Sequence, residues 1–419
     1  MGEQLLDRDR IRTLFDLRAE TYASRGGSFD VDPYPTFHRL RESGPVHPGV
    51  PHEELGWTGE VFFEGLPYPN RPHFTAYDFE TCAAVLRDES RFVTSPEPLP
   101  GETPMPDSAI LFMDGERHRS YRRLVQPSFA PAKAVWWLDN WVRGTIDRLM
   151  ELIAVHDRAD LNLDFCAPIP LLTITGSLGV TVEEALEVRA AVTSDGSEID
   201  ILAKLLLPII AARRTDPQDD LISVLVEAEV TDEVGVQHRL SDVEILAFGL
   251  LLLAAGSGTT WKQMGITFVA LLSHPEALEA ARRDHSFLRR VFEESVRWTP
   301  TDPVFARFVA QDCELAGVEL PAGAVIHVCL AAANRDPARW DRPDEFDPFR
   351  DPRPHLGFGH GPHACLGMHL ARTEVTYGIA TALDRLPDLR LDPDHPEPRF
   401  IGLYERGPDA VPVRFGEDR

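Results

Sequence analysis

Between about residue 114 and residue 300, apolar positions recur at three- and four-residue spacing, which predicts a mainly helical body. An N-terminal helix is expected over Leu5–Thr21, with a break at Gly26-Gly27. A shorter one over Tyr34–Glu42 is closed by Ser43-Gly44-Pro45. The clearest element runs from Ser241 to Ser273: Ser241 and Glu244 have the spacing of a capping box, and His274-Pro275 ends it. Thirty-three residues at 1.5 Å each span roughly 50 Å, the width of a whole domain. The first half of this helix is apolar nearly all round, so it should be the buried axis of the molecule. Residues 60–76 have the aromatic, β-branched and turn content of a small sheet, and strand-like stretches return at 307–330 and 399–415. No fixed-period repeat and no low-complexity linker divides the chain. A single domain over 1–419 is expected, mainly α with a small β part. The helix-rich portion covers roughly 80–300 plus a C-terminal glycine-rich loop and helix; the β-rich portion comes from about 45–80, 307–330 and 399–415.

Charge narrows the function. Lys and Arg number 42 against 67 Asp and Glu, a net charge of −25, which disfavours a nucleic-acid partner. Met1–Arg10 has no apolar leader pattern, and the longest apolar run, Ile245–Ala255, is short of the roughly 20 residues that cross a bilayer. The expectation is a cytoplasmic protein without a membrane anchor. The five cysteines, Cys82, Cys166, Cys313, Cys329 and Cys365, are odd in number and scattered, which argues against a disulfide framework.

The chemistry concentrates in His355–Ala371, HLGFGHGPHACLGMHLA. Gly357, Gly359, Gly361 and Pro362 precede Cys365, and a helical pattern starts after Gly367, so Cys365 sits in a glycine-rich loop ahead of a helix N-terminus. Backbone N–H groups and the helix dipole there favour a thiolate, and glycines allow close backbone approach to a flat group. Two plainer readings compete: a zinc site from His360, His363, Cys365 and His369, or a buried cysteine with no chemistry. The spacing Phe358-x-x-Gly361-x-x-x-Cys365-x-Gly367 resembles the haem-ligand signature of the cytochrome P450 family, in which the thiolate binds the iron of haem b.

Other motifs extend the resemblance over about Asp32–Phe415. Glu294 and Arg297 share one helix face, and with Arg350 of Phe346-Asp347-Pro348-Phe349-Arg350 they match the family's structural Glu–Arg–Arg group. His118 and Arg122 match its propionate-binding His-x-x-x-Arg pair, and Arg307 and His363 match two further propionate ligands. Phe358, Gly359, Gly367 and Ala255 are expected against the cofactor. Arg117, Arg119, Arg123 and Lys133 are read as a basic patch for an acidic ferredoxin.

Midway along the long helix stands Ala254-Ala255-Gly256-Ser257-Gly258-Thr259-Thr260. Poor helix formers and back-bonding hydroxyls predict a local bend or widening. The family has Ala-Gly-x-Asp/Glu-Thr here, so Thr259 matches its distal alcohol, whereas Gly258 stands where the family has an acid. Direct proton delivery by that side chain is ruled out; Ser257, a water chain or a substrate hydroxyl could replace it. Pro96–Met113 is expected over the distal side, helices near Val182–Val192 and Ile199–Arg213 as a lid, and Ala254, Ala255, Val304, Phe305 and Gly402-Leu403 as pocket walls. The resemblance implies a prism-shaped P450 fold whose long central helix crosses the haem. It implies a monomeric monooxygenase that puts one oxygen atom from O2 into an apolar or mixed small molecule, with electrons from NAD(P)H through a ferredoxin and its reductase. The glycine at 258 leaves two alternatives: a peroxide-using or non-hydroxylating haem-thiolate enzyme, and a haem carrier without turnover.

Overall fold

The computed structural model describes residues 7–15, 29–57, 70–95, 97–99, 110–194, 198–231 and 237–416. Both ends of the expected N-terminal helix lie outside them, as do most of the 60–76 segment and most of the loop over 96–113; a helix is present at Arg8–Phe15. Tyr34–Ser43 is helical as expected.

The central helix spans Asp242–Leu272. Ser241 caps it, accepting from the Glu244 N–H while the Glu244 carboxylate accepts from the Ser241 N–H at 2.8 Å. It is α-helical without interruption across Gly256–Thr260, so the predicted bend does not break the hydrogen-bond ladder. Its burial also differs from expectation. The second half, Trp261–Leu271, is buried throughout, whereas Ala254 and Ala255 at its middle are exposed. By length and composition this helix could span a bilayer, which counting uninterrupted apolar residues did not show. In the fold it packs against helices Pro168–Ser177, Glu198–Arg213 and Leu288–Trp298. Trp137, Phe165, Phe248, Trp261, Phe268 and Phe292 belong to the core around it, and full burial of each such side chain contributes about 1.5–3 kcal/mol.

The β part consists of small sheets. The largest has five strands in the order Val46–Pro48, His73–Ala76, Val325–Val328, Phe305–Val309 and Phe92–Val93. Only the His73–Ala76/Val325–Val328 pair is parallel. Pairing of Arg307 with Ile326 fixes where that arginine leaves the sheet. Near the C-terminus, Phe400–Ile401 pairs antiparallel with Gly407–Pro408, forming a hairpin whose turn spans 402–406.

Candidate active site

The cysteine loop is shaped by its own backbone. The Gly359 N–H donates to the Leu356 carbonyl and the Cys365 N–H to the Phe358 carbonyl, both at 2.8 Å, before helix Met368–Arg385 begins. Two glycines are required by neighbouring protein. A Cβ on Gly361, at φ +74°, would stand 2.5 Å from the Leu86 carbonyl oxygen, and one on Gly357 would stand 2.4 Å from Val296 Cγ1. The sequence reading assigned this freedom to the approach of a flat group; at these two positions it serves packing instead. Phe358 packs on Phe292, with the Arg372 guanidinium 5.0 Å from its ring. Cys365 is exposed to solvent, yet surrounding protein desolvates its thiol. Burial and the Asp302 charge raise its thiol pKa, while the Gly367 N–H and the charges of Arg122 and Arg372 pull it down. Burial prevails, so a thiolate here needs a cation at the sulfur.

Four cationic or potentially cationic groups meet beside the loop. The His118 and His363 rings stack with centroids 3.9 Å apart. Arg122 Nη2 donates to the Ala364 carbonyl at 2.6 Å, and Arg307 is buried nearby. Burial, then Arg122, Arg119 and Arg307, lower the His118 pKa to about 4; burial, then His118, Arg307 and Arg122, lower that of His363 to about 2. His118 Nδ1 and His363 Nε2 find no hydrogen-bond partner among the described residues, and Asp114 Oδ1 stands 3.8 Å from the latter. Mutually repelling groups with buried polar atoms left over make a site that attracts an anion.

Beneath the loop, Glu294 holds two arginines. Arg297 reaches it with Nε and Nη2, each at 2.8 Å, and Arg350 Nε donates to Glu294 Oε1 at 2.9 Å. The Asp347 N–H adds a bond to the same oxygen at 2.9 Å. Arg297 also donates to the carbonyls of Asn334, Pro343 and Glu345, so the buried charge is fully paired. The structure thus brings the three residues of the expected group together and ties 334–347 to the helix under the cysteine.

Comparison with known proteins agrees with this geometry. The family model described as Cytochrome P450 matches residues 194–402. The chain is 32% identical over 416 residues to "Cytochrome P450 monooxygenase PikC" of Streptomyces venezuelae, covering 94% of each chain. The chain belongs to the cytochrome P450 family. Its fold is similar to that of P450BioI, solved in complex with hexadec-9Z-enoic acid ligated acyl carrier protein (TM-score 0.78, 27% identity, 92% of this chain and 99% of that one). It is also similar to a mutant of P450 EryK in complex with erythromycin B (TM-score 0.76, 28% identity, 92% of this chain and 96% of that one). The expected P450 fold is therefore present, mainly α with a small sheet part.

Proteins of this family bind haem b, and the P450 site described above suits that group. Cys365 offers a sulfur to iron, the His118–Arg122–Arg307–His363 cluster offers charge to two carboxylates, and exposed Ala254 and Ala255 offer an apolar face. The zinc reading is not supported: among the described residues no group of three or more His, Cys, Asp or Glu side chains could hold a metal ion. His363 stacks on His118, and His369 Nδ1 stands 3.5 Å from Arg372.

Several distal expectations are revised. Thr259 Oγ1 donates to the Ala255 carbonyl at 3.0 Å, as expected for a back-bonding hydroxyl. Val304 and Leu403, expected as walls, are buried in a cluster with Tyr34, Phe37 and Tyr404. Helices are present at Val182–Ser194 and Glu198–Arg213, where two helices are expected. On the surface, Arg119 pairs with Glu89 and Glu116, and Arg123 pairs with Glu116, so the basic patch is partly neutralised. Sequence reading missed Glu405, which stands beside Gly258 and pairs with Lys262, and Asp302, which lies within electrostatic reach of both charges. One signal was present: a lysine within the otherwise uncharged second half of a core helix calls for a buried partner.

Proposed function

We propose that the protein is a monooxygenase acting in one catalytic unit over the whole chain, as a cytoplasmic monomer. It inserts one atom of O2 into a C–H or C=C bond of an apolar or mixed organic molecule of secondary metabolism. Its electrons come from NAD(P)H through a ferredoxin and reductase. The observation that carries this reading is the exposed Cys365 beside the cluster of His118, Arg122, Arg307 and His363. The cofactor, when bound through its iron to the Cys365 sulfur, supplies oxygen activation.

The chain's residues do the rest. The Gly367 N–H stabilises negative charge on the Cys365 sulfur. His118, Arg122, Arg307 and His363 bind the cofactor's carboxylates and fix its orientation. Glu294, Arg297 and Arg350 hold the loop at a constant height, while Phe358, Gly359 and Gly367 flank the sulfur. Ala255 keeps the helix face flat, and Thr259, its hydroxyl proton committed to the Ala255 carbonyl, presents lone pairs that accept a proton-bearing partner. Arg117 and Lys133, with Arg119 and Arg123 in their acidic pairs, form the surface that steers the electron donor.

The test is an absorbance titration of the ferric holoenzyme against terpenes, steroids, macrolides, fatty acids (free and carrier-bound) and aromatics. A low-to-high-spin shift with one class, followed by product from that class with a surrogate ferredoxin system, is the expected result. A protein that binds no haem overturns the reading.

Gly258 favours a second reading, in which peroxide drives the reaction. Product formed from hydrogen peroxide at rates matching the ferredoxin system would establish it.

A further inference from the structure

Positions 258, 262 and 265 of the central helix lie on one face, spaced i, i+4 and i+7. The C-terminal hairpin is seated on that face at all three. A Cβ built on Gly265 would stand 2.7 Å from Pro408 Cγ. A Cβ built on Gly407 would stand 2.9 Å from both Lys262 Cβ and Cγ. A Cβ built on Gly258 would stand 3.4 Å from Glu405 Oε2 and 3.5 Å from Glu405 Oε1. The hairpin therefore carries a carboxylate to position 258, where the helix lacks a side chain of its own. Its turn is held independently: the Arg406 guanidinium donates to the Gly402 and Phe400 carbonyls, and the Arg406 N–H donates to the Thr301 carbonyl at 2.7 Å.

The surroundings are charged and specific. Lys262, with only 4% of its side chain exposed, pairs with Glu405, which keeps 29% exposed. Asp302 follows Thr301 and lies within electrostatic reach of both Glu405 and Lys262. The titratable groups at this junction are Lys262 from the helix, Asp302 from its own segment and Glu405 from the hairpin, with Cys365 of the loop also within electrostatic reach of Asp302; Arg406 faces back into the turn. Two carboxyl groups with one lysine can share a single proton between them. Burial, with the nearby Glu405 charge, raises the Asp302 pKa to about 7, while Lys262 opposes the shift.

We propose that Glu405 supplies, from the hairpin, the proton-donating carboxyl group that position 258 of the helix lacks, with Asp302 recharging it and Lys262 positioning it. The inference rests on the oxygenase reading. Oxygen insertion consumes one O2, two electrons and two protons and releases the oxygenated product and one water. The electrons come from an external one-electron iron–sulfur donor. Glu405 gives one proton toward the Thr259 side of the helix at each passage and regains it from Asp302, which regains it from solvent, so neither carboxyl group is consumed. Gly258 also follows: an Asp there would place a second carboxylate against Glu405, and like charges at that distance oppose each other.

The experiment has two arms. In the first, the carboxyl C=O infrared band of the ferric holoenzyme is titrated with pH, with D302N used to assign it. The Asp302 band is expected to titrate near neutral pH in the wild type and at lower pH in E405Q, because the Glu405 charge raises it. Absence of the band, or an unmoved midpoint, overturns the pairing. In the second, turnover is measured with the compound that shifts the haem spectrum. E405Q should lose about ten-fold or more of product per reductant consumed, with haem content and spectral response retained; E405D, which keeps a carboxylate for Lys262, should recover part of the loss, with an altered pH profile. Wild-type behaviour in E405Q overturns the proposal. So does equal loss in E405Q and E405D accompanied by a lower melting temperature, which marks a merely structural ion pair. If the wild type forms no product with any compound, the oxygenase reading fails instead, and the infrared arm still decides the carboxyl pair.

Discussion

Among single residues, Cys365 and Glu294 show two different dependencies on context. Cys365 is raised by burial, so its reactivity is latent in the polypeptide and depends on a cation at the sulfur. Cys365→Ser is expected to abolish the thiolate signature in the carbon monoxide difference spectrum and to abolish turnover, while leaving the polypeptide folded by circular dichroism. Glu294 compensates both Arg297 and Arg350. Glu294→Ala leaves buried guanidinium charge unpaired, a change that costs about 3–5 kcal/mol; denaturant unfolding of the holoenzyme measures it. Both residues were legible in the sequence because their spacing is local or nearly so. Lys262, Asp302 and Glu405 were not: 143 residues separate Lys262 from Glu405, and no short motif connects them.

Elements met their expected ends more closely than their expected burial. The central helix starts and stops where its capping box and the His-Pro pair place it. Composition pointed to a buried axis, yet only the second half is buried throughout, because Leu and Ala face solvent-accessible openings as readily as a core. Close packing explains two helix glycines that periodicity left without a role, one of them at the hairpin seat. At Gly265 an added Cβ meets Asn162 Oδ1 at 2.6 Å and Pro408 Cγ at 2.7 Å, both on anchored groups. At Gly249 it meets Leu206 Cδ1 at 2.6 Å, the end of a flexible side chain. Gly265→Ala should therefore destabilise by about 1–3 kcal/mol, and Gly249→Ala by less. Melting temperatures of the two variants compare them directly, and equal losses would contradict the assignment.

Across the whole molecule, the packing of separated segments builds a buried imidazole array that no pattern announced. His73 Nδ1 and His327 Nε2 lie 2.9 Å apart, and His52 Nδ1 lies 3.2 Å from the Tyr404 hydroxyl. Burial, then His73 and His52, lower the His327 pKa to about 3; burial, then His73, lower that of His52 to about 4. An unfolded histidine titrates near 6.5. Between that pH and the folded values the unfolded chain binds more protons, so stability falls as pH drops from about 6.5 toward 4 and 3. The melting temperature should decline through this window, and His327→Gln should flatten the decline. An unchanged slope in that variant would remove the array as its cause.

The sequence by itself determined the helix limits, the cysteine loop, the family resemblance and the missing acid at 258, because each is written within a few neighbouring positions. Only the tertiary structure decided where charge from distant segments collects: His363 on His118, Arg350 on Glu294, and Glu405 against Gly258. Local spacing sets hydrogen bonds and helix faces, whereas burial, and the electrostatics that follow from it, depend on which segments pack together.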